Sequence, residues 1–240
     1  MTTHSWNPGD VATAAERFAG ALAEADPAAV VPACPGWTVT DLVAHLGNVH
    51  TWAAAVVMSG GPVDEPDGRP GETALDGWYA ARAVHLVGVL EDSDPDAPCW
   101  NFAAVHETAG FWRRRQLHEI LMHLVDLDQA HGRRTALDPT TCADGVSETF
   151  EVFGPRLHAR GHVADLDRPV SFVATDTGDV WTLVPDPGRH PRLERSSPLA
   201  DRVTGTAEQL WLRLWNRGSE VAVSGDTSVV DRLLASRLSA

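Results

Sequence analysis

Hydrophobic residues recur every three or four positions over most of the first two-thirds of the chain, as they do in amphipathic helices. Stretches rich in proline and glycine separate these periodic segments. Thr38, followed three residues later by Asp41, predicts a capping box at the start of the second segment. The periodicity predicts helices over residues 10–25, about 39–58, roughly 72–91, about 108–131 and near 141–159.

After residue 164 the pattern changes to short runs of β-branched and aromatic residues. Residues 168–185 predict two strands around the turn "DTGD", and "RLERSS" predicts a third. "DRVTGT" leads into a helix over 207–218, and the strand "VAVSGD" precedes a terminal helix at 226–237. We therefore predict an α+β protein, with a helical bundle over residues 1–163 and a small α+β domain over 164–240.

Composition narrows the function classes. The 240 residues are 43% hydrophobic and 22% charged, which is typical of a globular protein. A net charge of -14 argues against nucleic acid and anionic membranes as partners, because both favour a basic face. We expect a cytoplasmic protein with reduced thiols, because its three cysteines form no Cys-x-x-Cys and no signal peptide or long apolar run occurs. All 19 basic residues are arginines, which, with abundant Ala, Gly, Pro and Asp, suggests a GC-rich genome.

The predicted fourth helix contains "LHEILMHLVDLDQA", in which Glu119, His123 and Asp126 lie along one otherwise apolar stripe. Glu119 and His123 differ by about 40° around the helix and are about 6 Å apart along it. Side chains four residues apart can hold one ion between them. A buried carboxylate without a partner costs several kcal/mol, so an inward Glu119 needs a cation, a proton or access to solvent.

The second helix contains a matching anomaly. His45 lies at the centre of an apolar stripe, whereas His50 points about 140° away and is interpreted as a surface histidine. A single core histidine is more often structural than a ligand, and Glu-x-x-x-His occurs by chance in many helices. Together, however, two imidazoles and a carboxylate from two helices are typical of a catalytic metal site with an open coordination position.

Two segments make the chain resemble a known family. "CPGWTVTDLVAHLGNVHTW" (34–52) and "RRRQLHEILMHLVDL" (113–127) resemble the mycothiol-dependent maleylpyruvate isomerase family of the DinB-like superfamily. "VTGTAEQLWLRLWNRGSEVAVSGD" (203–226) looks like the C-terminal domain of that family, which is related to sterol-carrier-like folds. The resemblance implies a DinB-like four-helix bundle that binds a divalent ion, usually zinc, through His45, Glu119 and His123.

The resemblance also implies a cosubstrate and one further residue. Members of the family use mycothiol, a low-molecular-weight thiol of actinobacteria, and a metal with an open position activates such a thiol as a thiolate. An arginine of the tail domain that holds the acidic substrate corresponds to Arg217, which could instead close a helix before Gly218. From its position alone, one turn beyond His123 on the same face, Asp126 is a candidate base or supporting group, or else a cap or a salt-bridge partner of Arg115 or Arg133.

Three functions therefore compete. The first is an enzyme that uses the activated thiol on a small electrophile, by S-transfer or by cis–trans isomerisation. The second is a metal-dependent hydrolase at the same site, and the third is a non-catalytic, metal-stabilised binding or regulatory protein. The residues name neither the electrophile nor the oligomeric state. Cys34, in "ACPGW", is expected to pack in a loop rather than to act as a catalytic thiol.

Overall fold

The computed structural model describes residues 6–71, 75–161 and 166–235, and it divides the chain into two compact units, Met1–Thr135 and Ala136–Ala240. Among these residues, no helix is both long enough and apolar enough to cross a membrane. The first unit contains four long helices, which are α1 (Pro8–Leu22), α2 (Val39–Ser59), α3 (Leu75–Asp92) and α4 (Ala109–Ala130).

The four helices form a bundle in which α1 and α2 each pack against both α3 and α4. Large apolar side chains that are fully enclosed, such as Phe18, Leu46 and Ile120, form its core. The predicted capping box of α2 is present, since the Thr38 side chain accepts from the Asp41 backbone N–H and the Asp41 carboxylate accepts from the Thr38 N–H. The predicted start of α3 at residue 72 lies outside the described residues.

Helices α2 and α3 approach each other closely at Gly47. A Cβ atom added at this position would overlap the Trp78 ring of α3, and it would also crowd the Arg82 side chain. Arg82 itself stacks over Trp78, with its guanidinium carbon 3.5 Å from the ring centroid. A glycine is therefore required on this face of α2, and the contact fixes how α2 is rotated within the bundle.

The second unit is built on a five-stranded sheet in the order β3-β2-β1-β4-β5. Strand β1 pairs antiparallel with β2 and parallel with β4, and the outer strands β3 and β5 are antiparallel to their neighbours. Every predicted strand is present, and the α+β class is confirmed. The strands are β1 (Val170–Ala174), β2 (Val180–Asp186), β3 (Arg189–Glu194), β4 (Arg202–Gly205) and β5 (Ala222–Ser224).

The second unit also contains helices, which precede, interrupt and follow the strands along the chain. They are α5 (Pro139–Glu148), a π-helical turn (Thr149–Phe153), α6 (Gly154–Ala159), α7 (Ala207–Leu214) and α8 (Thr227–Ala235). Helix α5 packs against α7, so the fifth predicted helix belongs to this unit and not to the bundle. The chain thus divides earlier than the predicted boundary between residues 163 and 164, which themselves lie outside the described ranges.

Candidate metal centre

Three donor atoms from α2 and α4 converge in the first unit. His45 Nε2 and His123 Nε2 each lie 3.2 Å from the same oxygen, Glu119 Oε1. One ligand atom from each of these three residues lies within 4.8 Å of the other two. The structure therefore brings together the three residues that the sequence singled out as metal ligands.

The local structure explains this convergence. Glu119 and His123 are one turn apart on α4, so their side chains extend from the same face of that helix. The cap at Thr38 starts α2 so that His45 falls in its second turn, and α2 packs against α4. The ring of Trp37, just before α2, lies 5.0 Å from the His45 ring and encloses it on one side.

The donor set fits a divalent ion such as zinc. Zinc accepts imidazole nitrogens and carboxylate oxygens at about 2.0–2.2 Å, so neighbouring donors in a tetrahedral site lie about 3.3 Å apart. Both contacts between Glu119 Oε1 and the imidazoles have nearly this length, 3.2 Å. Three protein donors also leave a fourth position for another molecule, as in catalytic zinc sites.

Asp126 fixes the orientation of His123. Its carboxylate oxygen Oδ2 lies 2.9 Å from His123 Nδ1, and Asp126 is completely buried. A carboxylate accepts the Nδ1–H proton, which turns Nε2 toward Glu119 Oε1 and the third donor. Asp126 therefore lies where a group supporting a metal ligand belongs. Arg115 bonds Glu119 and Arg133 bonds Asp128, and a pairing of either arginine with Asp126 stays a prediction.

Electrostatics couple the cluster tightly. Burial alone would raise the pKa of Glu119, but Arg115 and the two histidines hold it well below its usual range. Burial alone would lower the pKa of His123, but hydrogen bonds to Asp126 and Glu119 raise it to about 9. In the protein without an ion, His123 is therefore a cation at neutral pH, and an ion that takes its Nε2 must displace this proton.

Two polar residues of the bundle contradict the expectations from sequence. His50, interpreted as a surface histidine, is completely buried, and its Nδ1 lies 2.7 Å from Gln116 Oε1. His45, placed at the centre of a buried stripe, has a side chain that is 37% exposed at the rim of the bundle. Helix α2 packs against two neighbours, so its buried arc is wider than one stripe and includes the direction of His50.

Arg115 is a component of the site that the sequence did not reveal. It is the last of three consecutive arginines, residues 113–115, and only 4% of its side chain is exposed. Its guanidinium donates to Glu119 Oε2, the carboxylate oxygen that does not face the histidines. The available signal was its position one turn before Glu119, which is the spacing of a helical ion pair.

Arg217 and Cys34 complete the predicted residues. Arg217 belongs to the second unit, is 9% exposed, and donates from Nη1 to the Trp215 carbonyl at 2.7 Å, at the end of α7. This contact resembles the helix-closing role considered as an alternative, and its role toward a substrate stays a prediction. Cys34 is half-buried in the loop before α2, with Sγ 3.8 Å from Asp126 Oδ2, so it is closer to the metal centre than expected.

Fold and site together define a helical bundle with a three-donor centre, joined to an α+β unit. The family model of the mycothiol maleylpyruvate isomerase N-terminal domain matches residues 9–128, half of the 240-residue chain, so the chain belongs to that family. Membership confirms the family expected from the motifs and places the chain in a family of enzymes. No protein of curated function matches the chain.

Solved structures extend the comparison to the second unit. A crystal structure of a mycothiol-dependent maleylpyruvate isomerase has a TM-score of 0.61 and 14% sequence identity, over 92% of this chain and 91% of that chain. A histidine-to-alanine mutant of a mycothiol-dependent maleylpyruvate isomerase has the same TM-score and coverage at 13% identity. Both chains therefore share the fold of this one along nearly its whole length.

Proposed function

We propose that the protein is a divalent-metal-dependent enzyme that uses a low-molecular-weight thiol, mycothiol, as a nucleophile on a small electrophilic substrate. The convergence of His45, Glu119 and His123 around one point supports this proposal most directly. The donor types favour zinc as the ion. When bound, a divalent ion with an open position lowers the pKa of a thiol, so that the thiol reacts as a thiolate near neutral pH.

The residues of the chain have distinct parts in this chemistry. His45 and His123 hold the ion through Nε2, and Glu119 contributes a negative charge through Oε1. Asp126 retains the Nδ1 proton of His123, which keeps the imidazole turned toward the centre. Arg217 is proposed to bind the acidic group of the substrate, as the resemblance to the isomerase family implies.

The same nucleophile serves two reactions. If the thiolate adds to an activated cis double bond, the bond that was double can rotate, and loss of the thiol then gives the trans isomer. If the electrophile carries a leaving group or a strained ring, the new carbon–sulfur bond replaces the bond from carbon to the leaving group or to the ring heteroatom. The product is a thiol conjugate. Cis–trans isomerisation and S-transfer therefore differ in the substrate and in the fate of the thiol. Isomerisation regenerates the thiol, whereas S-transfer consumes one thiol for each product molecule.

Metal analysis coupled to a thiol-dependent assay tests the proposal. The purified protein is expected to contain close to one zinc per chain, and Glu119→Ala is expected to lose it. His131→Ala removes a histidine of the same region that bonds the Asp26 backbone instead, so this variant should keep its zinc. Mycothiol should raise the Tm of the wild type but not that of His123→Ala.

The assay then compares maleylpyruvate and a panel of other electrophiles with and without mycothiol. Turnover that requires both zinc and mycothiol supports the proposal. Zinc-dependent hydrolysis without any thiol would show instead a metal hydrolase. If the wild type stays metal-free when zinc is supplied, and its Tm is the same with and without zinc, both enzyme hypotheses are wrong.

A further inference from the structure

The two oxygens of Glu119 contact different partners. Oε1 faces the two imidazoles, whereas Oε2 accepts from the Arg115 guanidinium, which projects from the preceding turn of α4. Both side chains are largely buried, with 4% of Arg115 and 13% of Glu119 exposed. Oε1 therefore faces the candidate metal centre, while Oε2 is engaged by Arg115.

We propose that Arg115 is a positioning residue, which compensates the buried charge of Glu119 and fixes its orientation while no ion is bound. A buried carboxylate needs positive charge nearby, but the His123 imidazole is shared between Glu119 and Asp126, and a divalent ion provides charge only once it has arrived. Arg115 is a second, permanent cation on the opposite oxygen. The donor set is then assembled before the ion binds. This inference rests on the proposed function, because it assumes that the centre takes an ion.

Arg113 is a natural control for Arg115. It lies two residues earlier on α4 and is also buried, at 9% exposure. Its Nη2 donates to two backbone carbonyls near the end of α3, Leu90 O at 2.9 Å and Ser93 O at 2.7 Å. Loss of its guanidinium removes a buried cation from the same helix without removing a partner of Glu119.

The experiment compares the Tm of wild type, Arg115→Met and Arg113→Met, each with a chelator and with saturating zinc. We expect Arg115→Met to lower the Tm of the metal-free protein by roughly 10 °C, as for a broken buried ion pair. Zinc should recover most of that loss, because the ion replaces the missing charge beside Glu119. Arg113→Met should lower the Tm equally with and without zinc.

The inference is overturned if zinc raises the Tm of Arg115→Met by no more than it raises that of the wild type. A second arm covers a variant that fails to fold. Replacing Glu119 by Gln removes the unpaired charge, so the Arg115→Met/Glu119→Gln double variant should be more stable without metal than Arg115→Met alone. A double variant no more stable than Arg115→Met overturns the inference.

These arms separate the inference from the proposed function. If zinc does not raise the Tm of the wild type, the metal proposal fails, while the metal-free double variant still reports whether Arg115 compensates Glu119. If zinc stabilises the wild type but Arg115→Met responds like Arg113→Met, the metal proposal stands and the role of Arg115 is structural.

A different observation supports a second site in the core of the bundle. His50, Gln116 and Tyr79 are completely buried, and the His50 ring lies 5.6 Å from the Tyr79 ring. His50 Nε2, Gln116 Nε2 and Tyr79 Oη find no hydrogen-bond partner among the described residues. Burial lowers the pKa of His50 to about 4, so this imidazole is neutral at physiological pH.

We infer that His50 and Tyr79 bind a water molecule between them. His50 donates its Nδ1 proton to Gln116 Oε1, which leaves a lone pair on Nε2 that needs a donor. A water that donates to His50 Nε2 and accepts from Tyr79 Oη satisfies both of these groups, on the side of the imidazole opposite Gln116. About three hydrogen bonds are usual for a buried water in a globular protein.

Tyr79→Phe tests this inference through the sign of its effect. If water bonds the hydroxyl, the variant loses a buried hydrogen bond and its Tm should fall by roughly 3 °C. If the hydroxyl has no partner, its removal relieves a desolvation penalty and the Tm should rise, which overturns the inference. A high-resolution crystal structure of the wild type should show density within hydrogen-bond distance of His50 Nε2 and Tyr79 Oη. A neighbouring side chain in that place also overturns it.

Discussion

The metal centre of the first unit and the buried hydroxyls of the second unit hold their polar groups in opposite ways. In the second unit each buried hydroxyl is surrounded by complementary partners. Ser147 Oγ accepts from Trp181 Nε1 and Arg195 Nη2 and donates to the Ala143 carbonyl, while Thr149 Oγ1 accepts from Trp215 Nε1 and donates to the Gly145 carbonyl. These bonds link helix to sheet and helix to helix, and they are complete without a ligand.

At the metal centre of the first unit the buried groups are ionisable, and three lone-pair donors point at one another. His45, Glu119 and His123 satisfy each other only with protons placed between them, and an ion can take the place of those protons. Burial of polar residues therefore does not identify a functional site in this protein. The better indicator of a candidate site is a group of donors that converge and compete for one proton or one ion.

The largest effect expected from this contrast is the loss of a ligand. Glu119→Ala should weaken zinc binding by more than about 100-fold, because the loss of an outer partner alone typically costs 10–100-fold. Competition with a chromophoric chelator measures the affinity. Trp215→Phe, which removes a donor from the closed network of the second unit, should leave zinc affinity unchanged. If Glu119→Ala and Trp215→Phe lower zinc affinity equally, the contrast drawn between the two sets of buried groups is wrong.

Asp126→Asn should have the next largest effect. The carboxylate that accepts the His123 Nδ1 proton is lost, so the imidazole is less firmly oriented, and zinc affinity should fall by about 10–100-fold. Asp128→Asn is the matched control, because Asp128 lies on the same helix but bonds Arg133 and Thr135. If both variants bind zinc like the wild type, Asp126 has no supporting role.

The pH dependence of stability should differ with and without the ion. The pKa of His123 rises from its ordinary 6.5 to about 9 in the folded, metal-free protein. The protonated imidazole thus contributes stability that is fully present below pH 6.5 and is lost as the pH rises through 9. The contribution is about 3 kcal/mol, at about 1.4 kcal/mol per pKa unit.

Denaturant titrations between pH 6 and 9.5 measure this difference. The metal-free wild type should lose free energy of unfolding across that range, whereas His123→Gln should lose much less. Zinc-loaded protein should not show the loss, because a histidine bound through Nε2 carries no second proton. A metal-free stability that is flat across the range would contradict the predicted cationic state of His123.

The smallest expected effect is in the closed network. Ser147→Ala leaves Trp181 Nε1 and Arg195 Nη2 without a common acceptor, and it should lower the free energy of unfolding by about 1–3 kcal/mol. Zinc content and affinity should not change. A change in either one would show that the network of the second unit influences the metal centre.

Helical periodicity was sufficient to place Glu119 and His123 on one face, because an i, i+4 pair on α4 is determined by the geometry of a single helix, and their role as metal ligands stays a prediction. The surroundings of the ligands were not predictable in this way. The burial of His50 and Arg115 depends on which helices pack on each side of α2 and α4, and one helix alone does not carry that information. The assignment of α5 to the second unit likewise follows from its contact with α7, which is distant in sequence.

Gly47 has an evolutionary consequence. It lies two residues after His45, and the Trp78 ring occupies the space where its side chain would be. A larger residue at this position is compatible with the same helix contact only if the residue facing it becomes smaller. In related sequences that keep the three donors, positions 47 and 78 should therefore vary together. The motif "H-x-G", followed by a tryptophan about 30 residues later, can then be used to search sequences for this packing of α2 on α3.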